Sequence, residues 1–382
     1  MKNKILLSLY VAAIFLAGLY AFKKPLYNWD MIAYMGITVG YGHADPNYIH
    51  DTVYNIVKQQ LPGPVSNQLT DGGIEFRKRM AENPNEFYQQ MPFYSVKPLY
   101  TGFIYAFYKI GIPLIQATVL PSLIGYLFIG LLLISWIKRY LEMPIALAFC
   151  LLIMFSAPMW ELARSFTPDC LSTFLLLCAL YCILETKSLG FAFMWMIFSI
   201  TGRLDNVIPA FFIISLITFS NKSGFKISIN KYFLMLFTMV ICCLCVVWNT
   251  HPFGWSVLYY PTFLKSLNSS YTFQSQFHLH SYMALAISQI MTGLFFSHFT
   301  LFMALAVLAF KGKSSFPFRY LDFEQLFLCT LTVIVIVRFI LQPVMSDRLY
   351  VAFYLAILIL LVKRFYRPVK FAELPIKEKF KN

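Results

Sequence analysis

The chain has 382 residues, of which 59% are apolar and only 13% charged, and its mean hydropathy is +0.65. These values exclude an ordinary soluble domain, and with 17 Gly and 19 Pro they exclude collagen-like and disordered classes too, which leaves an all-α polytopic helical bundle. The 31 Lys+Arg against 17 Asp+Glu give +14, a surplus that in a membrane protein reports orientation and not nucleic-acid binding.

A helix needs roughly 20 apolar residues to cross the hydrocarbon core, and runs of that kind predict about ten spans. They lie near 5–22, 118–137, 143–158, 168–184, 188–201, 205–220, 231–250, 283–310, 323–342 and 348–363. The first has a basic start and ends at Lys23-Lys24, so its length fits a retained anchor better than a cleaved signal peptide.

The segment 23–117 is the long first external loop. Within it Trp29–Val39 and Pro46–Gln60 have helical lengths, and Leu61-Pro62-Gly63-Pro64 and Asp71-Gly72-Gly73 are turn signals. Gly73 to Tyr94 mixes Arg77, Lys78 and Arg79 with Phe76, Met80 and Phe87, a composition that predicts juxtamembrane helices at the interface. The run from Lys97-Pro98 to Ile110 is short for a span. Making it one would invert every later loop and move Lys138, Arg139, Lys187, Lys222, Lys226, Lys311, Lys313 and the tail lysines to the outer side, against the positive-inside bias. It is therefore expected to be an interfacial helix, with both termini cytoplasmic. A second external loop covers 251–282, and residues 1–364 form a single transmembrane domain followed by a basic tail at 365–382. All eight Cys fall within or at the ends of spans and are expected to pack between helices.

Ionisable groups next to hydrocarbon are costly unless paired or hydrated, which makes them the informative residues. Four clusters and Lys97 are expected on one membrane face: Asp30; Arg164 with Asp169; Arg203 with Asp205; and Asp347 with Arg348. An Arg beside an Asp suits an anionic headgroup next to an ionised carboxylate. Each cluster alone also has a structural explanation: Thr167-Pro168-Asp169 is a good helix start, Asp30, Asp205 and Asp347 could be N-caps, and Arg203 and Arg348 could snorkel. Convergence on one face is what points to a site. His278 and His280 alone are too few for a metal, and no phosphate-cradling Gly-rich loop, nucleophile elbow or zinc helix appears.

Three stretches, Asn28-Trp-Asp-Met-Ile-Ala-Tyr34, Lys97-Pro-Leu-Tyr100 and Arg164-Ser-Phe-Thr-Pro-Asp169, resemble motifs of the polytopic GT-C glycosyltransferases. The likeness is to the bacterial branch related to lipid A aminoarabinose transferase and the protein mannosyltransferases, and it runs from the first span to the Arg203 region. The chain departs from that pattern in having one Pro in the Lys97 motif, no Asp-Glu pair at Asp30 and no large C-terminal soluble domain. The resemblance implies a GT-C-like bundle in the bacterial inner membrane. It also implies a transferase that takes a sugar from a polyprenyl-phosphate donor to a glycan, lipid or protein acceptor on the periplasmic face, with no nucleic-acid partner. On this basis Asp30 is the general base, and Asp169 a second carboxylate that positions the acceptor or holds a divalent cation. The substrate-binding candidates are Lys97, Tyr100, Arg164, Arg203, Asp205 and Arg348. A polysaccharide polymerase or ligase of different fold would carry its long loop late in the chain. A lipid or solute transporter would place charges at mid-span.

Overall fold

A computed structural model describes residues 2–248, 279–296, 298 and 322–365. The expected second external loop through His278, residues 299–310 of the 283–310 run, and the tail beyond Phe365 lie outside the described residues. Among the described residues the chain is helical, with one isolated β-bridge between Leu26 and Ser165.

Helix α1 (Lys2–Lys23) leads into a set of short helices, α2 (Trp29–Gly40), α3 (Pro46–Gln60), α4 (Gly63–Thr70), α5 (Glu75–Glu82), α6 (Pro84–Gln90), α7 (Pro92–Ser95) and α8 (Pro98–Lys109). The bundle continues with α9 (Leu114–Ile137), α10 (Met143–Met154), α11 (Ala157–Arg164), α12 (Asp169–Tyr181), α13 (Leu189–Gly202), α14 (Val207–Phe219) and α15 (Ile229–Trp248). It ends with α16 (Leu279–Phe296), α17 (Phe323–Leu341) and α18 (Val351–Phe365).

Among the described residues five helices are long and apolar enough to cross a membrane: Asn3–Lys23, Leu114–Ile137, Asp169–Thr186, Ile229–Trp248 and Phe323–Leu341. α10 and α11 make a sixth if they count as one span bent by 61°. The bend falls at Phe155-Ser156, where Pro158 restarts the helix, near the end of the single run expected over 143–158. Leu189–Gly202 and Leu204–Phe219 are apolar but shorter. The protein is thus a helical multi-pass membrane protein. At the pitch of an α-helix the 24 residues of α9 extend about 36 Å, enough for the hydrocarbon core.

Two apolar cores organise these elements. The larger joins α1, α9, α12, α13, α17 and α18 around Trp136, Tyr126 and Phe353. α9 and α12 touch through Gly125, where a Cβ would stand 2.8 Å from the backbone of Cys170 and Leu171. The smaller core belongs to the segment before α9 and centres on α2, which is buried on nearly every side by Trp29, Ile32, Tyr34, Met35 and their neighbours. Asn28 caps it by accepting from the Met31 amide at 3.3 Å, and Gly36 lets Phe87 and Met91 lie directly on the helix. The short apolar run before α9 proves to be the 12-residue helix α8, which packs on α2, α9 and α13.

The ends of the bundle carry separate polar networks. At one end Glu185 accepts from Tyr140 and pairs with Lys363, whose ammonium also lies 3.3 Å from Glu324. At the other end are the start of α12, the α13–α14 turn, the end of α17 and the start of α18, together with the α2–α8 segment.

Candidate functional site

The site is assembled from turns. Asp169 opens α12, Arg203 closes α13, Asp205 lies in the 3-10 turn Leu204–Asn206, Arg338 is in the last turn of α17, and Arg348 lies in the 3-10 turn Asp347–Leu349. Arg203 forks onto Asp205, with Nε donating to Oδ1 at 3.1 Å and Nη2 to Oδ2 at 2.9 Å, while its Nη1 pairs with Asp169. Arg338 pairs with the same Asp205 oxygen, and Arg348 Nε lies 3.5 Å from Asp169 Oδ2. Asn206 ties the turn to α12 by donating to Ser172 Oγ at 2.6 Å.

The N-cap explanations for the aspartates do not hold. α2 is capped by Asn28 and not by Asp30. The Thr167 hydroxyl donates to Asp169 at 2.9 Å and so leaves the α12 amides alone, and no side-chain cap is made at α12 or at either 3-10 turn. Each carboxylate is spent on a cation or on another side chain, an arrangement that helix formation does not require.

The α2–α8 segment brings in Asp30, Lys97 and two tyrosines. Tyr94 donates to Asp30 Oδ1 at 3.1 Å, and the Lys97 ammonium donates to the Tyr34 hydroxyl at 2.9 Å. Lys97 also sits 5.3 Å and 5.1 Å from the centroids of the Tyr34 and Tyr94 rings, a cation–π box, and forms no ion pair among the described residues. Burial pushes the Lys97 ammonium down to about 8; Asp30 and Asp205 oppose that shift, and Arg203 and Arg348 add to it. These charges are therefore close enough to act on one another. Burial, followed by the charge of Asp30, holds the Tyr34 and Tyr94 hydroxyls well above their usual value, so both are proton donors at neutral pH.

A narrow cleft with room for about one water molecule opens between Asp169, Ser172, Arg203, Asn206, Arg338 and Arg348. Lys97, Arg203, Arg338 and Arg348 face Asp30, Asp169 and Asp205, so the site carries one cation more than it has carboxylates. The chemistry of such an array suits an anion, because its donors are charged and its cations exceed the carboxylates by one. A divalent cation does not fit: both Asp169 oxygens and both Asp205 oxygens already meet guanidinium or hydroxyl groups. Among the described residues no group of three His, Cys, Asp or Glu could hold a metal.

Six of the residues singled out in the sequence converge here: Asp30, Lys97, Asp169, Arg203, Asp205 and Arg348. Two others do not. The Tyr100 hydroxyl is buried and donates to the Thr118 carbonyl at 2.9 Å, and its ring backs Tyr34 at 4.9 Å. Arg164 donates through Nε to the Lys24 carbonyl at 2.6 Å, while its own carbonyl accepts from Leu26 at 2.9 Å. It clamps the connector that leads from α1 to Asp30 and does not reach the cleft. Asp347 turns away from Arg348 to His298 and Tyr354. Arg338, Tyr34 and Tyr94 are participants that the sequence reasoning missed. Arg338 was detectable, because a guanidinium inside the apolar run Val333 to Leu341 demands a partner. The comparisons with known proteins find no family model, no curated protein and no solved structure that matches this chain.

Proposed function

We propose that the chain is a membrane glycosyltransferase with a GT-C-like bundle of about ten spans and both termini cytoplasmic. It moves a sugar from a polyprenyl-phosphate donor to an acceptor on the external face of the bacterial inner membrane. The observation that carries this reading is the Lys97 ammonium, boxed by two tyrosine rings, with no carboxylate paired to it among the described residues, at the edge of a cation cluster at one end of the bundle.

Transfer requires an acceptor hydroxyl or amine to lose its proton as its oxygen or nitrogen bonds to the anomeric carbon. The bond from that carbon to the phosphate oxygen then breaks, and the phosphate leaves with the electron pair. Asp30 takes the proton; Tyr94 holds one of its oxygens and leaves the other for the acceptor. Lys97 and Arg348 receive the charge on the departing phosphate, because they are the cations least committed to protein carboxylates. Arg203 and Arg338, locked on Asp205 and Asp169, form the rigid frame. No rival reading has a comparable observation in its favour: the charges gather at the bundle end, whereas a transport pathway needs them along its depth.

The test is binding of a short-chain prenyl phosphate to the purified protein in detergent, followed by calorimetry. Lys97→Met and Arg348→Met are each expected to weaken it about tenfold, the loss of one charge-assisted hydrogen bond, and Arg164→Met to leave it unchanged. Wild-type protein that binds no prenyl phosphate would overturn the proposal.

A further inference from the structure

Beside the Asp347–Leu349 turn lies a second cavity, of about 230 Å³, walled by Leu152, Ile153, Met159, Val351, Leu355 and Leu358. It occupies the wedge left where α10 and α11 bend, and Leu152, 75% exposed, marks its open side.

Apart from Ser156, the polar lining of the cavity is His298 and Tyr354, which meet Asp347. Asp347 is filled by donors: the His298 backbone amide at 3.0 and 3.2 Å, His298 Nδ1 at 2.7 Å and the Tyr354 hydroxyl at 3.2 Å. A carboxylate only accepts, so Nδ1 donates to it, and in the neutral ring Nε2 carries a lone pair. Nε2 has no hydrogen-bond partner among the described residues, and the ring is 42% exposed where it lines the cavity. None of this dyad takes part in the anion site.

The polar end therefore presents an acceptor beside a carboxylate. A phosphate headgroup needs donors and would be repelled there, whereas a hydroxyl or amine would be accepted. We infer that this cavity binds an alcohol- or amine-headed lipid, its hydrocarbon chain along Leu152, Leu355 and Leu358 and its head donating to His298 Nε2. If the transferase reading holds, this lipid is the glycosyl acceptor, which enters laterally from the bilayer and meets the donor across the Asp347–Leu349 turn. The binding itself does not depend on that reading.

The experiment uses the full chain in lipid nanodiscs and three diazirine probes: hexadecanol, hexadecyl phosphate and hexadecane. Labelled peptides are mapped by mass spectrometry. Hexadecanol is expected to label residues 152–159 and 351–358 at least tenfold more than hexadecane does. His298→Phe, which removes the acceptor but keeps a ring, is expected to bring hexadecanol down to the hexadecane level. Leu355→Trp, which fills the cavity, is expected to abolish labelling. A thermal unfolding transition matching that of the wild type shows that both variants are folded. Three results would each overturn the inference. Equal labelling by alcohol and alkane would mean hydrocarbon contact only. Preferential labelling by the phosphate would make this the donor's tail site, and no labelling by any probe would mean that the chain itself fills the space. Failure here leaves prenyl-phosphate binding at Lys97 and Arg348 to be judged by its own assay.

Discussion

Asp205→Asn tests the frame of the site, because Arg338 depends on that carboxylate while Arg203 does not. Arg203 retains Asp169, but Arg338 pairs with no carboxylate other than Asp205 among the described residues, and its side chain is only 5% exposed. Removing one partner of a buried pair leaves an uncompensated charge and costs about 3–5 kcal/mol. The converse change is milder: Arg338→Met leaves Asp205 held by the Arg203 fork, so a cost of about 1–2 kcal/mol is expected. In the double variant neither charge is stranded, and an interaction energy of about 2–3 kcal/mol should return. The assay is unfolding in mixed micelles with rising dodecyl sulfate fraction, run on the four proteins of the cycle. Asp205→Asn within about 1 kcal/mol of wild type, with no recovery in the double variant, would refute the pairing on which the frame rests.

The remaining predictions touch other parts of the molecule. Lys97 binds an anion in its charged form, and burial lowers its value to about 8, so prenyl-phosphate affinity should fall as pH rises from 7 to 9. Lys97→Arg should flatten that profile, and an unchanged slope would remove Lys97 from the site. Arg164→Ala should lower stability by about 1 kcal/mol through loss of the bond to Lys24 while leaving prenyl-phosphate binding intact; reduced binding at full stability would return Arg164 to the substrate. Gly125→Ala drives a methyl group into the α12 backbone and should cost about 1–3 kcal/mol, and a neutral result in the same micelle assay would show that the two helices can separate there.

Much of the segment before α9 is legible in the sequence because its signals are local. Asn28 and the Pro46 start set the ends of α2 and α3, and the Lys97–Ile110 run, short for a span, forms the 12-residue helix α8. The aspartates and arginines of the site stand out because charge next to hydrocarbon needs a reason. Sequence adjacency misleads about which charges pair. Arg164 lies five residues from Asp169 yet turns to Lys24, Arg348 ignores neighbouring Asp347 and reaches Asp169, and Arg338 reaches back to Asp205. These choices follow from helix packing that brings the ends of α12, α13, α17 and α18 together, and no spacing rule encodes them. The bend at Phe155-Ser156 is similar: the run reads as one apolar stretch, and the restart at Pro158 is all that marks the break. Tyr94 was hidden among interfacial aromatics, and only its distance to Asp30 separates it from them.

The most direct measurement is release of sugar from a panel of polyprenyl-phosphate sugars by the purified protein, wild type against Asp30→Asn, with prenyl-phosphate binding followed in parallel. The account predicts turnover of at least one donor by the wild type and loss of that turnover in Asp30→Asn with binding retained, because the anion is held by Lys97 and Arg348. Full turnover in Asp30→Asn would contradict the role of Asp30, and a wild type that binds and consumes none of these donors would contradict the proposed function itself.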